Sequence, residues 1–383
     1  MENKQSAKLL YVVNDSWFFT SHRLPVAVAA VNKGYQVTLV AVEDETSHAL
    51  STHGIRFKPW DLAPRSLNPF RELKSFISLF RNIRSVQPDV LHLVTIKSVL
   101  YGGIIARVTR VPSVVFAISG MGYAFSNAKD KRSATNWLAT CLYRFALGHK
   151  NSCVIVQNEN DKEFFLNTNL VSEKKLHLIP GSGVDLEEFK STAVNLKSNT
   201  VLFASRMLWD KGVSEFVEAS KRINSDSNLG NFVLAGNTDP KNPRSVPCKW
   251  LNDLPESKSI QWIGHATDIP SLIQSARVVV LPTTYGEGVP KILIEACAGG
   301  RAVVATDWPG CRDAVVNGYN GILVKPGDGK QLSEAIHLLL TDDKLASEYG
   351  SNGRKLAVEK FSIQVVIDIT LKLYSVLHKP QKS

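Results

Sequence analysis

The chain has 383 residues, of which 44% are hydrophobic and 21% charged: enough apolar material for two domains of ordinary size and too little charge for a disordered chain. Lys and Arg total 45 against 35 Asp and Glu, so the formal net charge is +10, which favours an anionic partner such as a phosphorylated small molecule or a lipid surface. The sequence carries no RNA- or DNA-binding signature, no apolar run of transmembrane length and no secretory signal, so nucleic acid is not expected as a partner; the expected location is the cytoplasm, with at most peripheral attachment to the inner face of the cytoplasmic membrane.

In chain order, "KLLYVV" (8–13) predicts a buried strand and "YQVTLVAV" (35–42) the next. A helix is expected between them over 23–34, with Pro25 near its start and Gly34 past its end. "NPFRELKSFISLFRNIRS" (68–85) predicts a helix with Asn68 as N-cap and Pro69 at its first position. On it Phe70, Leu73, Ile77 and Phe80 recur at helical spacing, while Arg71, Lys74, Arg81 and Arg84 carry the charge. Two readings stand: a core-facing helix with a solvated basic face, or a helix lying on anionic lipid. Strands follow at 89–94, 113–119, 152–158 and 175–181, mostly separated by helical stretches. The basic "NAKDKR" (127–132) and the stripe Trp137, Leu138, Cys141, Leu142 and Phe145 belong to the same domain.

A second series of strands is expected at 200–205, 231–236, 260–264, 277–282, 301–306 and 321–326, again with helices between. Two Rossmann-like, doubly wound parallel-sheet domains are the economical architecture. The expected divisions are 1–189 and 190–364, with a closing helix whose part 365–383 packs back on the first domain. The five cysteines are scattered without a CxxC pair and read as free thiols in a reducing compartment. No D-x-D and no cluster of metal-ligand spacing occurs, so no metal or other cofactor is expected.

"YGEGVPKILIEACAGG" follows the strand at 277–282. Pro290 suits a helix's first turn and Gly299–Gly300 its end, so a helix N-terminus lies at the carboxyl end of a parallel strand, where free amides favour a phosphate. Glu287 then lies at the mouth of that site and Glu295 one to two turns down the helix, within an apolar run where a charge needs a partner. A carboxylate so placed is a good acceptor for vicinal hydroxyls, as on a ribose. Arg206 and Lys211 follow the first strand of the second series, spaced so that both reach its carboxyl end, and two cations there would neutralise a departing diphosphate.

"EGVPKILIEACAGGRAVVATDWPG" resembles the E-x7-E signature of the retaining glycosyltransferases of family 4, whose fold is GT-B. "FASRMLWDKGVSEFVEA" (203–219), "IPGSGVDLEEF" (179–189) and "NGYNGILVKPGD" (317–328) are similar to further stretches of that family, so the resemblance spans essentially the whole chain. It looks most like bacterial enzymes that extend a sugar on undecaprenyl diphosphate in surface-polysaccharide or O-antigen assembly, N-acetylgalactosaminyltransferases among them. The resemblance implies a metal-independent enzyme with a UDP-sugar as substrate and a lipid-linked saccharide as acceptor. It implies catalytic roles for Glu287, Arg206 and Lys211, and donor contacts from Glu295, Gly288, Val289, Lys291, Gly264 and His265.

The segment "NDSWFFTSHR" (14–23) follows the first strand, which makes His22 and Arg23 acceptor-side candidates, together with His92 and Lys97 and with Ser119, which stands where many relatives carry a His. Relatives also carry a Gly-Gly loop after the first strand, and this chain has none. Other readings remain open from sequence: a UDP-sugar 2-epimerase of the same fold, a transferase with a soluble acceptor, or a non-catalytic sugar-nucleotide or lipid-binding protein.

Overall fold

The computed structural model describes residues 6–63, 68–120, 134–192, 197–225, 229–254, 259–286 and 288–378, with the helix Ala134–Leu147 described by its backbone up to residue 140. The chain divides into two compact units, Met1–Ser182 with Gln364–Ser383, and Gly183–Ile363. The first division thus falls earlier than the expected boundary at 189/190.

Unit 1 holds one sheet of β1 (Lys8–Asp15), β2 (Gln36–Val42), β3 (Arg56–Pro59), β4 (Val90–Val94), β5 (Ser113–Ile118), β6 (Ser152–Val156) and β7 (Leu176–Leu178). All neighbours pair in parallel, in the order β3-β2-β1-β4-β5-β6-β7. Strands β4, β5 and β6 are buried along their whole length, which is why they read as unbroken apolar runs. Helices α1 (Ser16–His22) and α2 (Leu24–Asn32) follow β1, α3 (Pro69–Val86) precedes β4, and α4 (Ile96–Thr109) follows it. Asn68 caps α3 by accepting from the Phe70 amide at 3.0 Å, and the helix ends at Gln87, which adopts a left-handed conformation with φ 51°.

The closing helix, Ile363–His378, belongs with this unit from Gln364 onward. Val366, Thr370 and Tyr374, four residues apart, form its buried row. The carbonyl of Leu377 accepts from Ser113 Oγ at 3.0 Å and Asn151 Nδ2 at 2.9 Å, which ties the last turn to the amino ends of β5 and β6.

Unit 2 holds β8 (Thr200–Ala204), β9 (Asn231–Ala235), β10 (Ile260–Trp262), β11 (Val278–Leu281), β12 (Ala302–Thr306) and β13 (Gly321–Val324), also all parallel, in the order β10-β9-β8-β11-β12-β13. The strand order reverses between β8 and β11, so this pair marks the topological switch point, where open α/β sheets bind ligands. Arg277 and Arg301, at the amino ends of β11 and β12, are fully buried structural residues. Arg277 donates to Leu339 O at 2.8 Å and pairs with Asp343 at 2.5 Å, and Arg301 donates to Ile273 O at 3.0 Å.

Candidate active site

In unit 2 the loops after β8 and β11 are fastened together at the switch point. The Asp210 carbonyl accepts from the Thr284 amide at 2.9 Å and from Thr283 Oγ1 at 3.1 Å. Gly212 makes the crossing possible. Its φ is +83°, and a Cβ there would stand 2.3 Å from the Pro282 carbonyl oxygen. The loop carrying Lys211 is thereby held against the loop carrying Tyr285, and Lys211 Nζ lies 5.5 Å from the centre of the Tyr285 ring. Lys211 is 6% exposed, so its side chain is largely enclosed.

Arg206 stands on the same loop but is open to solvent, with Nη1 3.6 Å from Asp239 Oδ2 on the loop after β9. Those two loops are knitted further by the Met207 amide donating to Asn237 O at 2.9 Å and by Arg244, whose Nη2 pairs with Asp210 at 2.6 Å. Asp210, Asp239 and Arg244 were not among the expected residues. Asp210 lies within the stretch 203–219 already singled out, whereas only the fold brings Asp239 and Arg244, on the β9 loop, into contact with the β8 loop.

The helix Lys291–Ala298 starts after Pro290 with no side-chain cap, so its first amides are not occupied by a capping side chain. Gly288 and Val289 are buried just before it. Glu287 lies outside the described residues. Glu295 is 6% exposed, and the partner its burial calls for is Lys291, with Nζ 3.0 Å from Oε1. Burial raises the pKa of its carboxyl above the ordinary value; Lys291 acts in the opposite direction with the smaller effect. After β10, Gly264 takes φ +67° with open space beside it, its carbonyl accepts from the Gly236 amide at 2.6 Å, and His265 is exposed. Arg206, Lys211, Gly264, His265, Gly288, Val289, Lys291 and Glu295 thus all follow carboxyl ends of strands in one sheet.

In unit 1 the acceptor-side candidates separate. His22 ends α1, with its ring stacked on Phe18 at 4.2 Å. Ser119 directly follows β5, its buried Oγ without a hydrogen-bond partner among the described residues. Arg23 and His92 are instead interior, 6% and 2% exposed. His92 Nδ1 lies 2.5 Å from the Tyr374 hydroxyl, and that hydroxyl lies 2.6 Å from the hydroxyl of Tyr11, on whose ring His92 stacks. Burial, reinforced by Arg23, pushes the His92 pKa well below the ordinary histidine value. Arg23 and His92 therefore depart from the expectation: with Thr370 they line an internal cavity of about 10 Å³ beneath the closing helix. Lys97 is likewise engaged, with Nζ 2.8 Å from Glu72 Oε1 and 2.8 Å from Ala63 O.

The switch point of this sheet, between β1 and β4, carries residues that sequence reasoning passed over. Thr95 Oγ1 donates to Asn14 Oδ1 at 2.7 Å, and Thr95 has φ 77°, a strained value for a β-branched residue. Strand order would have marked Asn14 and Thr95 as the strand ends to watch; the strain itself has no sequence signal.

The stretch "RELKSFISLFRNIRS" also differs from a simple core-facing helix. Ser75, Leu79 and Ile83 are buried, with Phe76 and Phe80 packed on the core, whereas Phe70, Leu73 and Ile77 are 82%, 57% and 39% exposed. All four expected docking cations are exposed, and Lys74 also makes a surface ion pair with Asp61 at 2.5 Å. "NAKDKR" and the side chains of Trp137 and Leu138 lie outside the described residues. Among the described residues no helix is long and apolar enough to cross a membrane.

Residues 184–356 match the family model of glycosyl transferases group 1, and residues 8–158 match the model of glycosyl transferase 4-like domains. The chain is 30% identical, over 92% of its length and 94% of the other's, to the N,N'-diacetylbacillosaminyl-diphospho-undecaprenol alpha-1,3-N-acetylgalactosaminyltransferase of Campylobacter jejuni. It is 28% identical, over 81% of each chain, to the UDP-Gal:alpha-D-GlcNAc-diphosphoundecaprenol alpha-1,3-galactosyltransferase of Escherichia coli. Among solved structures, Anabaena HepE in complex with UDP and glucose superposes with a TM-score of 0.75 at 18% identity, covering 96% of this chain and 99% of that one.

Proposed function

This chain belongs to the group 1, family 4-like glycosyltransferases of GT-B fold, and from that membership we propose that it is a retaining enzyme moving a sugar, an N-acetylhexosamine or a hexose, from a UDP-sugar to a saccharide carried on a polyprenyl diphosphate. The observation that supports this reading is the fastening of the β8 and β11 loops through Asp210, which holds Lys211 beside Tyr285, on the loop that leads to the uncapped helix Lys291–Ala298. In this reading Lys211, Arg206 and the helix-start amides share the charge of a leaving diphosphate, without a metal.

In this proposal Glu295 accepts from the ribose hydroxyls, and Gly288, Val289 and Lys291 contact the diphosphate. Gly264 and His265 flank the base. Glu287 stands by the transferred sugar where positive charge develops. His22 and Ser119 serve the acceptor side, while Arg23 and His92 support unit 1 from within. The names of the two relatives, with diphospho-undecaprenol in both, support the lipid-linked acceptor and surface-glycan assembly. A polyprenyl acceptor does not leave the bilayer, so the enzyme works peripherally at the inner face of the cytoplasmic membrane, with Arg71, Lys74, Arg81 and Arg84 as its basic face. Release of UDP from a panel of UDP-sugars, with and without a short-chain polyprenyl-diphosphate saccharide, tests the reading. Acceptor-dependent release from one donor is the expected result; an epimerised sugar nucleotide with no need for acceptor would replace it with the epimerase.

A further inference from the structure

Arg23 is an enclosed cation for which unit 1 supplies no counter-charge. It stands at the corner between α1 and α2, its amide donating to Phe19 O at 2.7 Å, and it is 6% exposed. Arginine keeps its proton in a protein interior, so the buried group is charged. Buried charges are ordinarily paired, because the solvation they give up has to be replaced. The groups that act on this one are the hydroxyls of Tyr11 and Tyr374. Burial holds both phenols well above their ordinary pKa, so both are neutral and neither takes the place of a carboxylate. Among the described residues no carboxylate pairs with Arg23, and its Nε has no hydrogen-bond partner.

His92 brings a second unmatched donor to the same place. Its Nδ1 lies 2.5 Å from the Tyr374 hydroxyl, which lies 2.6 Å from the hydroxyl of Tyr11. Burial keeps the ring neutral, so one of its two nitrogens carries a hydrogen. When the hydroxyl hydrogens run from Tyr11 to Tyr374 to Nδ1, each hydroxyl donates once and the ring hydrogen stands on Nε2. The opposite direction leaves the Tyr11 hydroxyl hydrogen without an acceptor among the described residues. Nε2 is therefore a donor, and it too has no partner among them.

Both residues line the cavity of about 10 Å³ beneath the closing helix. The third polar side chain in its wall is Thr370, 3% exposed, on the buried row of that helix. Val26 and Val366 are among the apolar residues of the wall, and no carboxylate lines it among the described residues. The space is thus bounded by hydrogen-bond donors and one positive charge. Its volume is about that of one water-sized sphere, which excludes sulfate, phosphate and carboxylates and leaves room for a single atom.

We infer that this cavity is a structural site for one monatomic anion of the chloride class, held by Arg23 Nε, His92 Nε2 and the Thr370 hydroxyl. Water would accept from the same donors and still leave the guanidinium unpaired, whereas an anion supplies the counter-charge. The ion joins three elements of unit 1: the α1–α2 corner, β4 and the closing helix. The site is independent of the transfer chemistry proposed above, and its failure would leave that reading untouched.

The test uses the full chain at a constant ionic strength of about 0.3 M, so that screening does not change while chloride replaces gluconate, a carboxylate too large for the cavity. An anion that binds only the folded state raises the melting temperature with the logarithm of its concentration. Wild type should stay level until chloride passes its dissociation constant and then gain about 2–5 °C per tenfold, with bromide acting alike. Arg23→Met keeps the bulk and removes the charge, and its melting temperature should not depend on chloride. Wild-type crystals grown in bromide should show an anomalous scattering peak between Arg23 Nε and His92 Nε2, a result that stands even if the variant does not fold. Water density there with no bromide peak, a wild-type melting temperature indifferent to chloride, or an equal chloride response in Arg23→Met each overturns the inference.

Discussion

Lys291 and Glu295 form an ion pair, Nζ to Oε1 at 3.0 Å, across one turn of a helix that is otherwise apolar. The pairing does not cancel the cost of burying the carboxylate, and its pKa stays above the ordinary value of 4.5. The direction of the pH effect follows. In the unfolded chain Glu295 ionises near 4.5, and in the folded chain at a higher pH, so stability from this group is fully present below 4.5 and is lost as pH rises through the folded value. Glu295→Gln cannot lose it. The melting temperature of the variant minus that of wild type should therefore climb from pH 4.5 upward and then level off; a flat or falling difference would show that the ion pair outweighs burial.

For the donor, Glu295→Ala should weaken UDP by about tenfold, the scale of losing a charged hydrogen-bond acceptor, and raise KM more than it lowers kcat, because a ribose contact is made before and during reaction. Titration calorimetry with UDP is the direct measurement. Equal affinity for variant and wild type would remove the ribose assignment.

The two cations should differ. Lys211 is enclosed beside Tyr285, whereas Arg206 is solvent-exposed and already faces Asp239. Lys211→Ala should cost on the order of 2–4 kcal/mol in transition-state stabilisation, the range for a lost oxyanion-type donor, and Arg206→Ala less. Turnover at saturating donor decides it; if both variants stay within about threefold of wild type, neither residue stabilises the leaving group.

Gly212→Ala forces a Cβ to within 2.3 Å of the Pro282 carbonyl at φ +83°. The left-handed strain alone costs about 1–3 kcal/mol, and the clash pushes apart the loops that position Lys211. The variant should melt lower and lose turnover in proportion to its loss of UDP binding. Unchanged melting would mean that the loops part without cost.

Tyr374→Phe removes the hydroxyl shared by Tyr11 and His92 and leaves both buried groups without it, at about 1–3 kcal/mol. Amides of the closing helix between 366 and 378 should exchange about ten- to hundredfold faster, while Val376→Ser, at a position 58% exposed, changes little. Unaltered exchange in Tyr374→Phe would show that the Leu377 carbonyl contacts hold the helix by themselves.

The sequence made much of this legible, for physical reasons that also mark where it stops. Strands such as "DVLHLV" and "RAVVAT" are buried on both faces and read as continuous apolar runs. Arg56–Pro59 was missed because it is an edge strand, half exposed, with charges at alternate positions. Glu295 announced itself as a charge in an apolar run, and its partner stands four residues before it, at helical spacing. The Arg206–Asp239 and Arg244–Asp210 pairs depend on loops from different strands and have no local signal. His92 looked like a site residue because nothing near it in the sequence reveals that Tyr374 lies against it. On α3, periodicity alone shows two apolar rows and does not say which one faces outward.

The division of the chain also sets an order in time. Unit 2 is a continuous stretch, Gly183–Ile363, and all of its core partners are present once that stretch has left the ribosome. Unit 1 begins the chain but needs Val366, Thr370 and Tyr374 to close over Tyr11 and His92. The part synthesised first is therefore the part finished last, the reverse of the usual N-terminal-first sequence during synthesis. Until residues 364–378 have been made, the sheet of unit 1 lacks the helix that covers Tyr11 and His92, although every residue of unit 2 is already present.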